Sequence, residues 1–217
     1  MISAKRIFLG SAKAAPQPTY DAEVEYIAST GTQWIDTGVH GANGMIVECR
    51  FKPEPIASEA SVDSFPFLAR RGARRMGAVV QVASTFAVGC LTPLRSFAIS
   101  NAFYGAWHTV RLDSEAAAQS AMLDGEPVGS WTNSAWDPTV QPIPLFASRN
   151  TAFVPVGIGN GAIATFSITD KATGRKVIDL TAVRIGTEGA MHDRVSGKIF
   201  RNAGTGDFSY GPDRGAV

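Results

Sequence analysis

The chain predicts an all-β fold, a two-sheet antiparallel sandwich, and three observations predict it. Met45 to Lys52 alternate, with Met45, Val47, Cys49 and Phe51 on one face and Glu48, Arg50 and Lys52 on the other; only Ile46 breaks the pattern of a half-buried strand. Asp124-Gly125 separates two strand-like pieces, and a tight hairpin turn needs the positive φ that glycine adopts without steric cost. Short alternating runs, roughly a dozen of them, recur along the chain between turn residues, with no convincing amphipathic helix and no internal repeat. The 22 glycines and 12 prolines among 217 residues fit that many turns.

Taken in order, Val24 to Ala28 reads as a first strand, Ser29 to Thr32 as a turn and Gln33 to Gly38 as a second strand. Pro53 and Pro55 end the strand that starts at Met45, and residues 56–64 form a polar loop. Phe65 to Arg70 starts another strand, and Arg71-Gly72-Ala73-Arg74-Arg75 follows as a solvated hairpin tip; without a wider basic field the arginines do not make a nucleic-acid patch. Gly77 to Ala83 and Phe86 to Gly89 continue as strands. Phe97, Phe103, Tyr104 and Trp107 fit the core better than a sugar platform. Trp107 to Asp113, Ala121 to Asp124 and Glu126 to Trp131 make a central set of three short strands. Trp131 to Pro138 is a polar loop carrying two tryptophans, and Pro144 to Ser148 a strand. Gly161 to Asp170 and Arg175 to Arg184 pair around Lys171-Ala172-Thr173-Gly174, and Met191 to Phe200 makes a closing hairpin.

Hydrophobic residues make up 45% of the chain, enough for one sizeable core over residues 21–217. A formal net charge of +1 creates no broad field for nucleic acid, and no apolar run approaches a membrane span, so neither partner is expected. Cys49 sits on the apolar face of its strand and reads as a buried thiol; whether it pairs with Cys90 is open. Residues 1–20 differ from the rest. Lys5, Arg6, Ile7, Phe8 and Leu9 run from basic to apolar, and Ala14 to Pro18 reads as an extended linker. The apolar stretch is shorter than the roughly 7–15 residues a signal peptide needs, which favours an assembly arm over an export signal.

Several of these segments resemble a known group of domains. Trp107-His108-x-Val110, a turn, then Leu123-Asp124-Gly125-x-x-Val128 resembles the core hairpin of laminin-G-like, concanavalin-A-like lectin and glucanase jelly rolls. Glu25-Tyr26-Ile27-Ala28-Ser29-Thr30-Gly31-Thr32-Gln33-Trp34-Ile35-Asp36-Thr37-Gly38 is similar to the opening of such domains in phages, prophages and gut bacteria. Met191 to Phe200, with Asn202-Ala203-Gly204-Thr205-Gly206, is similar to their closing motif. The resemblance spans residues 23–212 and implies a jelly roll that binds glycans or assembles into virions and cell-surface structures. Lys5 to Gly10 is also similar to short starts of phage tail and other virion proteins.

Catalytic chemistry is not expected. A glycosidase needs two carboxylates across a cleft, and Asp21, Glu23 and Glu25 alternate onto one face at the domain's first edge, where charges guard a strand from mispairing. His40, His108 and His192 are too scattered for a metal cluster, and His108 reads as a structural imidazole. No cofactor is expected; Ca²⁺ is conceivable through Asp36, Asp137 or Asp193, residues that more often make Asx turns. Sugar binding needs an exposed aromatic face beside amide or carboxylate groups, and Trp136 with Asn133 and Asp137 fits best, followed by Trp131 and Tyr104. The expectation is a non-enzymatic phage or prophage virion protein, in the tail or decorating the capsid, that assembles with copies of itself and other virion proteins and displays a sandwich towards host or mucus glycans. The alternative is a carbohydrate-binding module that is secreted or held on a bacterial surface.

Overall fold

Alternation becomes strand almost wherever the sequence carries it, and bulges and turns then cut the strands into more pieces than the sequence suggests. The computed structural model describes residues 20–54, 64–71, 74–81, 85–90, 94–115, 118–132, 142–149 and 155–216. The first group of strands is β1 (Ala22–Val24), β2 (Ile27–Thr30), β3 (Ile35–His40), β4 (Met45–Pro53), β5 (Ser64–Arg71), β6 (Arg74–Gln81), β7 (Thr85–Cys90) and β8 (Arg95–Ala98). After a short 3₁₀ turn at Asn101–Phe103 come β9 (His108–Asp113), β10 (Gln119–Leu123), β11 (Glu126–Trp131), β12 (Pro142–Leu145), β13 (Ala147–Arg149) and β14 (Pro155–Ile158). The last group is β15 (Asn160–Asp170), β16 (Lys176–Ile185), β17 (Glu188–Asp193), β18 (Ile199–Phe200), β19 (Ser209–Tyr210) and β20 (Asp213–Ala216).

These strands form two sheets, the jelly-roll sandwich the sequence predicts. The larger sheet has the order β11-β10-β9-β4-β15-β16-β1-β20, with β2 and β19 beside the start of β15 and β17 and β18 beyond β16. The smaller has the order β14-β13-β5-β6-β7-β8, with β12 joining β3 to β5. The described ladders are antiparallel except for the single contact between β13 and β5. Phe51, Phe67, Phe86 and Phe166 are fully buried. Phe51 stacks on Phe86 at 6.1 Å and Phe67 meets Phe166 edge-on at 5.5 Å, and each ring removed from water stabilises the sandwich by about 2–3 kcal/mol. Val47, Cys49 and Phe51 of β4 point into this core. Cys49 is a free thiol there, and burial pushes its pKa up.

Two departures from the sequence reading have local causes. The expected first strand splits at Glu25-Tyr26, because its two halves serve different neighbours: β1 pairs with β16 and β20, whereas β2 pairs with β15 and β19. Asp21 and Glu23 therefore do not guard the sheet's edge, since β20 lies outside β1. The expected strand from Pro144 to Ser148 splits at Phe146, whose φ of 60° turns the chain between β12 and β13. The Asp124-Gly125 turn is as expected, with φ of 54° and 85° at its two central residues.

The opening and closing motifs of the domain meet. Asn202 accepts hydrogen bonds through Oδ1 from the N–H of Trp34 at 3.0 Å and of Gly204 at 2.8 Å, and its amide donates to the Gly206 carbonyl at 2.6 Å. The Ala203 N–H reaches the Trp34 carbonyl at 2.8 Å and the Thr205 N–H the Thr32 carbonyl at 3.2 Å. Gly204 lies so close that a β-carbon there would sit 2.0 Å from the Thr32 carbonyl oxygen. Gln33, itself buried, turns its side-chain oxygen back to the Thr30 N–H at 2.9 Å. The result is a clasp that closes the domain on itself.

Candidate functional site

The outward face of the larger sheet carries a pair of half-buried aromatic rings. Trp107 immediately precedes β9 and lies opposite Lys52, because Phe51 pairs with His108. Ala162 pairs with Lys52 and with Ala28, so two alanines continue that row, and Tyr26 comes one residue before β2. The small side chains leave room for rings over the sheet. Tyr26 and Trp107 have centroids 5.6 Å apart and planes tilted by 53°. Tyr26 is held from behind: its carbonyl accepts the Gly211 N–H at 2.9 Å, and a β-carbon on Gly211 would meet its ring at 2.5 Å. Ring orientation is therefore set by packing before any ligand arrives.

Two cations flank the rings. The Arg50 guanidinium lies 5.2 Å from the Trp107 centroid, and Lys52 Nζ lies 5.3 Å from Tyr26 and 5.8 Å from Trp107. Lys52 also approaches Glu54 at 3.4 Å. Arg214 donates to the Glu25 carbonyl, next to Tyr26, at 2.9 Å. Two planar rings fixed beside polar donors can stack on a flat apolar face of a ligand and bond the groups at its rim.

The residues singled out from sequence fall elsewhere. Trp136, Asn133 and Asp137 lie outside the described residues, as do Lys5, Arg6, Ile7, Phe8 and Leu9. Trp131 is 8% exposed and donates through Nε1 to the buried Gln119 side chain at 2.7 Å, so its ring is a core element and not an open platform. Tyr104 packs against the core, partly buried. The pair Tyr26–Trp107 was missed because its partners are distant in sequence. The sequence pattern groups Trp107 with the core aromatics, and only the register of β4 with β9 turns it outward.

The other polar clusters are structural. His108 faces Asp124 Oδ2 through Nδ1 at 2.7 Å and the Phe103 carbonyl through Nε2 at 2.9 Å, and it stacks on Phe103 at 3.8 Å. This is the structural imidazole expected, tying the 3₁₀ turn to the β10–β11 hairpin. Asp36 makes an Asx turn to the Gly38 N–H at 3.0 Å. Asp193, 3% exposed, accepts from the N–H groups of Asp179, Val195 and Ser196 and from the Ser196 hydroxyl. Burial alone raises its pKa; the Ser196 hydroxyl and the three N–H groups together outweigh it and hold the carboxyl below its usual range. Glu23 takes a two-oxygen grip on Arg194 at 2.9 Å, and Asp21 lies 3.4 Å from Arg184. Both carboxylates are thus committed to ion pairs. Among the described residues no three His, Cys, Asp or Glu side chains gather into a metal site.

No protein-family model matches the chain, and no curated protein matches it. Solved structures are similar to it. A candidate carbohydrate-binding protein from Bacteroides ovatus superposes with a TM-score of 0.55 at 10% identity, covering 91% of this chain and 62% of the other, so the chain spans under two thirds of that protein. The CBM40 of the Ruminococcus gnavus IT-sialidase, bound to α2,3-sialyllactose, gives a TM-score of 0.47 at 16% identity, over 64% of this chain and 86% of that one. Mouse laminin α1 chain domains LG4-5 give 0.47 at 8% identity, over 91% and 72%. What the chain shares with the Bacteroides protein is its fold.

Proposed function

We propose that this chain is a non-enzymatic carbohydrate-binding sandwich, displayed on a phage or prophage particle, whose sugar platform is the Tyr26–Trp107 face. One observation carries the binding half of this reading: two rings held at a fixed tilt on the outward face of a sheet, one braced by Gly211, with Arg50 and Lys52 beside them. The sandwich is a scaffold suited to such a site, because paired strands hold the rows that carry the rings in a fixed register. The particle half rests on the likeness of the opening and closing motifs to phage and prophage domains. Lys5, Arg6, Ile7, Phe8 and Leu9 serve here as the arm that attaches the domain to its own copies and to other virion proteins. A secreted or surface-held bacterial module is the alternative for where the domain works, and Trp136, with Asn133 and Asp137, is proposed as a second sugar contact.

A glycan array with the full chain tests the binding half. Trp107→Ala and Tyr26→Ala should each weaken the strongest signal about tenfold, the equivalent of about 1.4 kcal/mol of stacking. Trp136→Ala should weaken it less. An array blank for the unmutated chain rejects carbohydrate binding. Co-sedimentation with particles, lost on deleting residues 1–19, tests the display half; a free chain in the supernatant favours the bacterial module.

A further inference from the structure

We propose that the saccharide held at Tyr26–Trp107 is anionic, carrying a carboxylate or sulfate that the Arg50 guanidinium binds, a step that rests on the reading above and names its ligand class. The argument comes from how this protein treats its other cations. Arg111 meets Glu48 at 2.9 Å, Arg184 meets Asp213 at 2.9 Å, Arg194 meets Glu23 at 2.9 Å, and Lys171 meets both Asp113 and Glu115. Each of these charges is answered by a carboxylate; Lys198, 4.4 Å from the Phe200 ring, is not, but it stands beside a single ring away from the Tyr26–Trp107 pair. Arg50 is exposed, yet among the described residues it meets no carboxylate; it sits against the Trp107 ring. Glu48, two residues away on the same face of β4, is already engaged by Arg111.

A cation resting on a ring is positioned without being neutralised, because the ring's quadrupole orients the guanidinium and leaves its N–H fork free. Arg214 adds a second positive charge near Tyr26 while bonding, among the described residues, a backbone carbonyl. Lys52, at 3.4 Å from Glu54, is partly answered. The platform therefore holds an excess of positive charge in a chain whose overall charge is close to zero. A planar fork next to a stacking surface suits an anionic group on the rim of a sugar ring, which it can grip through two parallel hydrogen bonds. Single-stranded nucleic acid also combines rings with anions, but it needs a groove of positive charge along several nucleotides, and the carboxylates of Glu48 and Glu54 interrupt one here.

The test is an array of uronate-containing, sialylated, sulfated and neutral glycans, with the carboxylated ones repeated as methyl esters and a dT oligomer included. Binding confined to anionic glycans, lost on esterification for the carboxylated ones and weakened at least fivefold between 50 and 300 mM salt, is the expected result. The sulfated arm separates sulfate from carboxylate recognition. Arg50→Gln should lower affinity about tenfold and flatten the salt dependence, with an unchanged melting temperature showing that the fold is intact. Equal binding of neutral and anionic glycans, or an Arg50→Gln variant that binds as before, overturns the anionic assignment and leaves carbohydrate binding standing. No glycan bound at all overturns both. Tighter binding of the dT oligomer than of any glycan replaces the saccharide with nucleic acid.

Discussion

The clasp between residues 32–34 and 202–206 and the ring pair at Tyr26 and Trp107 each pack an aromatic ring against a glycine and end differently. In the clasp each polar group shown there has its answer inside the protein: Asn202 bonds Trp34, Gly204 and Gly206, and Gln33 turns back on Thr30. At the ring pair the packing is as fixed, with Gly211 against Tyr26, but the nearest guanidinium is matched only to a ring. Satisfied polar groups fix a fold, and unsatisfied charge on a rigid surface is free to bind. The clasp joins the two ends of the domain, so its residues have a role in chain closure that needs no ligand.

Variants can break this contrast. The largest effect is expected for Gly204→Ala, whose methyl would collide with the Thr32 carbonyl and force the clasp apart; chemical denaturation should show a loss of about 3 kcal/mol. Asp193→Ala should cost about 2 kcal/mol, because it strips four donors of their acceptor. The same carboxylate makes stability pH-dependent. Its folded-state pKa is lowered, so its contribution is complete above the unfolded value of about 3.9 and is lost as pH falls through the lower folded value; Asp193→Asn should flatten that acid limb. Trp107→Ala should sit at the other end of the contrast, changing stability by about 1 kcal/mol while weakening binding about tenfold. A Trp107→Ala protein as unstable as Gly204→Ala would show the rings to be structural. The smallest change is expected for Arg194→Ala, about 0.5 kcal/mol, since the partly exposed pair with Glu23 is screened by solvent.

The fold was legible because it depends on local alternation. β4, the Asp124-Gly125 turn and the long pair β15 and β16 follow the sequence pattern to within a few residues. The breaks at Glu25-Tyr26 and Phe146 were not, since each is set by which distant strand claims the chain. The site was less legible still. Trp131 stands at the border of a strand and a polar stretch in the sequence, and it is drawn inward by donating to Gln119, twelve positions earlier. Tyr26 and Trp107 come together only through the register of four strands, information that no spacing within either segment contains.

At one edge of the larger sheet, β11 pairs among the described residues with β10 alone, and its register with β10 shifts beside Pro127. Proline supplies no amide hydrogen, and a shifted register offers a neighbour no continuous row to zip onto. Such a margin lets copies of the domain meet edge to edge without annealing into fibrils.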